Sequence, residues 1–172
     1  GEKRAGRRFE SARYSAIDEN GMVLAYHIRL ESPGGEKSFV WERDGQPHLG
    51  GLRASELPLY RLPDLIGDGD GGRFVVVTEG EKAADAVAAC GLLAVGTMTG
   101  ASSIPGDRQL QPLLHRQVVL FPDNDEPGRQ HMQRLAEALA RLGHDRVLMV
   151  ATETLSEGGD AADVADPESL SQ

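Results

Sequence analysis

Cysteine is nearly absent from this 172-residue chain: Cys90 stands alone. That excludes a disulfide framework and a cysteine-based zinc ribbon within these residues. The five histidines have no ligand-type spacing, which argues against an imidazole zinc site as well. No apolar run approaches the roughly 20 residues that a membrane-crossing helix needs, and Gly1–Glu10 has no signal-peptide apolar region. A cytoplasmic location with no membrane partner is therefore expected. An excess of basic charge is also missing. With 18 Lys and Arg against 27 Asp and Glu, the net charge is −9, which disfavours simple electrostatic wrapping of nucleic acid. No glycine-rich loop ending in Gly-Lys-Ser/Thr occurs, so the chain carries no helicase motor. No internal repeat is visible.

What is present describes an ordinary globular protein, 40% hydrophobic and 26% charged. Its length suits one compact domain with a small appendage. The charge is unevenly placed. Residues 1–66 hold ten basic and ten acidic side chains, leaving eight basic against seventeen acidic, the whole −9, in residues 67–172.

Residues 1–8 read as a frayed basic arm with Lys3, Arg4, Arg7 and Arg8. Residues 9–66 read as a β-rich N-terminal subdomain. After the turn dipeptide Asn20-Gly21, Met22, Leu24, Tyr26, Ile28 and Leu30 alternate with other residues, predicting a strand buried on that face. His27 and Arg29 then fall on its non-core face, open to a template contact but read as a solvated polar face. Glu36–Glu42 reads as the partner strand, with Phe39 and Trp41 on one face as core; an exposed Trp41 would be able to stack on a base. Leu59–Leu65 leads out of this part, with Pro63 opening a helical turn. Residues 67–72 form a Gly/Asp junction.

From Phe74 the rhythm becomes alternating strand and helix. Phe74–Thr78 is a continuous apolar run, as in a parallel strand covered on both faces. A buried alanine-rich helix over Gly80–Cys90 follows, with Cys90 as packing and Gly91 as its stop. Leu92–Val95 and Gln117–Phe121 read as further strands. Pro127 opens a helix whose stripe is Met132, Leu135, Ala136, Leu139 and Leu142, and Arg146–Val150 closes the series. This order implies an open α/β sheet with right-handed crossovers over residues 73–172.

Ligands of such sheets bind beyond the carboxyl ends of the strands. Glu79 follows the first strand, Asp123 and Asp125 follow the third, and Asp160 and Asp163 follow the fourth after a glycine-containing loop. Any one of these acids has an ordinary role as a helix cap. Their joint placement at three strand ends favours a site for a hard divalent cation.

These residues carry a family resemblance. Val76–Gly80 after a strand, Asp123-Asn124-Asp125-Glu126-Pro127-Gly128 after a later one, and Gly159-Asp160 resemble the Toprim domain of topoisomerases, bacterial-type primases and certain nucleases. The D-x-D-x-x-G segment is similar to that of bacterial replicative primases, and Thr78–Asp85 resembles primase-like proteins of phages and other mobile elements. Pro58–Pro63 with its β-rich lead-in also looks like the segment preceding Toprim in those proteins.

The resemblance implies a Rossmann-like, mainly parallel sheet flanked by helices and preceded by a small antiparallel subdomain. It implies Glu79 as general acid/base or metal-organising carboxylate. It implies Asp123 and Asp125 as catalytic ligands of Mg2+ or Mn2+, with Asp160 completing the cluster. The implied activity is primer synthesis from nucleoside triphosphates on single-stranded DNA. A Toprim nuclease and a non-catalytic metal- or DNA-binding module are the alternatives. Two positions depart from the pattern: Ala83 stands where many primase relatives have an acid, and Asp160 and Asp163 are three apart rather than two. Asp163 reads instead as a cap. A zinc-binding domain or helicase would belong to a longer parent protein.

Three further residues are candidates for nucleotide or DNA contact. Arg61 precedes the junction. Lys82 lies one turn into the first helix, where Asp85 at i+3 offers it an ion pair. Gly100 lies in Gly96–Ser103, a loop equally compatible with presenting backbone N–H groups to a phosphate and with merely connecting.

Overall fold

The computed structural model describes residues 7–69, 72–100, 102–152 and 156–165. Most of the basic arm, two residues of the 67–72 junction and the last seven residues lie outside that set.

The first three strands, β1 (Phe9–Ile17), β2 (Val23–Glu31) and β3 (Lys37–Glu42), form an antiparallel sheet in the order β1-β2-β3. The β1–β2 turn forms where the Asp18 carboxylate accepts the N–H groups of Asn20 (2.9 Å) and Met22 (2.8 Å), with Gly21 at φ +80°.

The structure corrects the predicted face of β2. Tyr14 and Ala16 are buried on the face that carries Ala25, His27 and Arg29, since Tyr14 pairs with His27 and Ala16 with Ala25. Met22 is exposed, and of the expected stripe only Ile28 is fully buried. On that face His27 turns inward because its partner, Glu81, is a carboxylate on the other half of the molecule, while Arg29 pairs with Glu31 on its own strand at 2.7 Å. A hydropathy pattern cannot register such partners.

A loop with one 3-10 turn (Ala54–Glu56) leads to α1 (Leu62–Gly67). Leu59, Leu62 and Leu65 do not pack with the antiparallel sheet; they join the core of the α/β half with Val75, Val95 and Leu120. Asp68, at the end of α1, is nearly buried and pairs with Arg116 at 2.7 Å and with Arg73. That ties down the described part of the junction.

The second sheet is parallel in the order β5-β4-β6-β7, built from β4 (Val75–Thr78), β5 (Ala94–Gly96), β6 (Val118–Phe121) and β7 (Val147–Met149). Every residue of β4 is buried, which is why its sequence is an unbroken β-branched run. α2 (Glu81–Ala89) follows β4, and α3 (Asp107–Leu110) with a 3-10 turn (Gln111–Leu113) precedes β6. α4 (Glu126–Arg141) links β6 to β7, and α5 (Ala161–Ala165) closes the described chain. Asp125 caps α4, so Pro127 sits one residue further in than expected. Cys90 is exposed rather than packed. Among the described residues, no helix is long and apolar enough to cross a membrane.

Candidate active site

The strand order changes direction at β4. Its first crossover leads to β5 on one side and its second to β6 on the other. In open sheets the crevice at such a switch point is where ligands sit. Glu79 leaves the end of β4 and Asp123 follows β6, so the switch point carries two carboxylates. Asp125 and Asp160 flank them. The loops bearing Asp123 and Asp160 are stitched together: Asn124 N–H donates to the Gly159 carbonyl (2.7 Å) and Gly158 N–H to that of Asn124 (2.9 Å).

Two glycines make this approach possible. A Cβ on Gly96 would stand 2.8 Å from the Gly80 carbonyl oxygen, so only glycine lets the end of β5 meet the start of α2. A Cβ on Gly128 would stand 2.8 Å from Glu79 Oε2 and 2.9 Å from the Asp123 carbonyl oxygen. The first turn of α4 can lie against both acids only because position 128 has no side chain.

The Glu79 backbone is held from behind. Thr97 Oγ1 donates to the Glu79 carbonyl at 2.8 Å and lies 3.0 Å from His131 Nε2. Since the hydroxyl proton is committed, the imidazole must donate from Nε2. His131 is fully buried, and burial, reinforced by Arg134, lowers its pKa to about 4. It is therefore neutral at pH 7, a donor and not a charge. The sequence reading omits His131, although it lies at i+3 from Gly128 and i−4 from Leu135 on the apolar stripe.

The electrostatics of the acids are unbalanced. Burial raises the pKa of Glu79, and the nearby Asp125 carboxylate raises it further; its Oε2 is buried with no hydrogen-bond partner among the described residues. Asp123 is pushed up to about 7, first by burial and then by the negative charges of Glu79, Asp160, Asp125 and Asp163. Yet the carboxylates do not converge on one point: among the described residues, no three His, Cys, Asp or Glu side chains are placed to hold a metal ion together. Two of them are engaged as caps. Asp125 Oδ1 accepts the Gly128 N–H at 2.7 Å, and Asp160 Oδ1 accepts the Ala162 N–H at 2.7 Å. Asp163, expected as a cap, accepts the Asp160 N–H at 2.9 Å. The donor set nevertheless fits a hard divalent cation by chemistry. It is all oxygen, one buried oxygen is unpartnered, and each charge acting on Asp123 is one that a cation would offset.

Facing the acids is the inward side of the antiparallel sheet. A cavity of ≈ 160 Å³ lies between them, lined on one side by Tyr14, Arg29 and Phe39 and on the other by Asp123 and Asp160, with Gly80, Glu81 and Lys82 at the start of α2. The two walls are joined by His27 Nδ1 and Glu81 Oε1 at 2.6 Å, both largely buried.

The remaining predicted contacts divide. Lys82 is exposed and lines this cavity, and its expected partner Asp85 is taken by Arg61 Nη1 (2.8 Å) and the Tyr60 hydroxyl (3.1 Å). Arg61, in the left-handed region at φ 65°, also pairs with Asp64 at 2.6 Å and lines a separate depression with Pro63 and Leu92. Gly100 is exposed at φ +62° and does not line the cavity. Of the other lining residues, Tyr14 was missed by sequence reasoning, Arg29 was expected on a solvated polar face and Phe39 in the core; the signal that joins them is the shared face of three paired strands.

With its antiparallel three-stranded sheet leading into a parallel α/β sheet, the chain has the fold of DnaG-type primase catalytic domains. In particular, the chain is similar to a DNA primase domain from Pseudomonas aeruginosa, with a TM-score of 0.65 at 19% identity, covering 88% of this chain and 45% of that one. It is similar to the DnaG primase catalytic domain bound to ssDNA, with a TM-score of 0.62 at 18% identity, covering 88% and 47%. It is also similar to the zinc-binding and RNA polymerase domains of Aquifex aeolicus primase, with a TM-score of 0.62 at 20% identity, covering 87% and 35%. The chain thus spans less than half the length of each of these three. No protein-family model and no curated protein matches the sequence.

Proposed function

We propose that this chain is the catalytic core of a primase-like nucleotidyltransferase, joining nucleotides on a single-stranded DNA template with Mg2+ or Mn2+. The observation that carries the reading is Asp123, a carboxylate at the switch point whose ionisation is opposed by burial and by four acidic neighbours, facing a cationic and aromatic wall. Likeness in fold to primase catalytic domains supports it.

Glu79, Asp123, Asp125 and Asp160 would hold the cation, which supplies charge neutralisation at the phosphates and alignment of the attacking and leaving oxygens. The chain's own groups do the rest. Glu79, with raised proton affinity and a buried unpartnered Oε2, is suited to receive the proton of the attacking hydroxyl. The Thr97–His131 pair fixes the backbone from which Glu79 projects. Lys82 and Arg29 offer positive charge to phosphate from opposite sides of the cavity. Template and nucleoside triphosphates are the partners of this reading, in a cytoplasmic parent protein that would add a zinc-binding domain or helicase.

The test is incubation with Mn2+ or Mg2+, labelled nucleotides and single-stranded DNA. New oligonucleotides, abolished by Asp123→Asn, are expected. Shortened DNA would point to a Toprim nuclease, and DNA binding with neither product to a non-catalytic module.

A further inference from the structure

The sequence places Phe39 and Trp41 together in the core and leaves base stacking to an exposed Trp41; in the structure Trp41 is partly buried against that core, and Phe39 is the ring that lines the cavity. Phe39 is 50% exposed on the edge strand β3 and lines the same cavity as Asp123 and Asp160. Its ring stacks on His27, with centroids 4.8 Å apart and planes at 23°, and His27 stacks on Trp41 at 4.1 Å and 19°. His27 is fixed from the side by Glu81 at 2.6 Å. The three rings therefore make a column braced at its centre, with its last ring half open beside the cavity.

The open ring lines the same cavity as Lys82, Asp123 and Asp160. A ligand whose phosphates lie against Lys82 and the two aspartates brings its base to the side of the cavity that Phe39 lines. We propose that Phe39 is a base-stacking platform for a phosphate-bearing nucleotide, either a free nucleoside triphosphate or the terminal nucleotide of a strand. Stacking on a phenyl ring reads no hydrogen-bonding edge, so the platform accepts every base. The inference rests on the reading of the acid cluster as a phosphate-handling site, and it adds the part of the ligand that the acids do not touch.

Calorimetric titration of the full chain in Mg2+ tests it, with ATP, CTP and inorganic tripolyphosphate as probes. Both nucleotides should bind roughly 5- to 150-fold more tightly than tripolyphosphate, the range that base–aromatic stacking supplies. Phe39→Ala should erase that preference without changing tripolyphosphate binding, and Phe39→Trp should keep it; melting curves check that both variants fold. A second arm uses an oligonucleotide with a normal or an abasic 3′-terminal residue. A Phe39-dependent base effect only there assigns the platform to the strand end, and one only with ATP and CTP assigns it to the free nucleotide. Tripolyphosphate binding with no Phe39-dependent base effect in either arm overturns the platform alone. Failure of wild type to bind tripolyphosphate overturns the phosphate-handling reading beneath it.

Discussion

His27 and Glu81 meet at 2.6 Å across the boundary between the antiparallel sheet and the parallel half, 54 residues apart in sequence. This pair fixes the sheet's inward face over the acids, and Phe39 and Trp41 stack on the same imidazole. Removing one partner leaves the other nearly buried without its mate, which costs about 3 kcal/mol for a buried pair. His27→Ala should lower stability in urea unfolding by that order, and the double variant His27→Gln/Glu81→Gln should recover most of it. A loss below roughly 0.5 kcal/mol, the scale of an exposed ion pair, would show that the two halves are held by other contacts.

The Thr97–His131 pair makes a second prediction. Thr97→Val removes the donor to the Glu79 carbonyl and should cost about 1–2 kcal/mol of stability. It should also lower primer synthesis with little change in the nucleotide concentration needed, because Glu79 would be displaced while the phosphate contacts remain. His131→Gln, able to donate from the same region, should keep more activity than His131→Leu at matched stability. Equal activity in those two variants would reduce His131 to a packing residue.

Asp123 predicts a pH dependence. Its pKa in the folded chain, about 7, lies above the ordinary 3.8. The protonated form therefore favours the folded state. This stability is fully present below about pH 4 and is lost as pH rises through 7. In EDTA, Asp123→Asn should match wild type near pH 4 and exceed it by on the order of 3 kcal/mol at pH 8. Thermal unfolding across that range, repeated with Mg2+, checks both the sign and its relief by a cation.

The sequence made the acid positions legible because a strand end is a fixed landmark. Glu79 after an apolar run, and Asp123 after another, fall at the switch point whatever the side chains around them do. The inward face of β2 was not legible. Leu24, Tyr26 and Leu30 outweigh His27 and Arg29 in hydropathy, yet His27 is largely buried because Glu81 waits for it on another element. Lys82 misled for a similar reason, since the i+3 rule offered it Asp85 while the fold delivered Arg61 to that carboxylate. His131 sat on a stripe correctly read as apolar, and only the close approach of Thr97 gives its ring nitrogen work.

Direct binding of Mn2+, followed by electron paramagnetic resonance as loss of the free-ion signal, tests the central assignment. Wild type should bind the ion more tightly at pH 8 than at pH 5, as Asp123 ionises, and Asp123→Asn should lose at least roughly tenfold in affinity, about 1.4 kcal/mol. Equal binding by the two proteins, or none by wild type, would contradict the assignment of this acid cluster as a cation site.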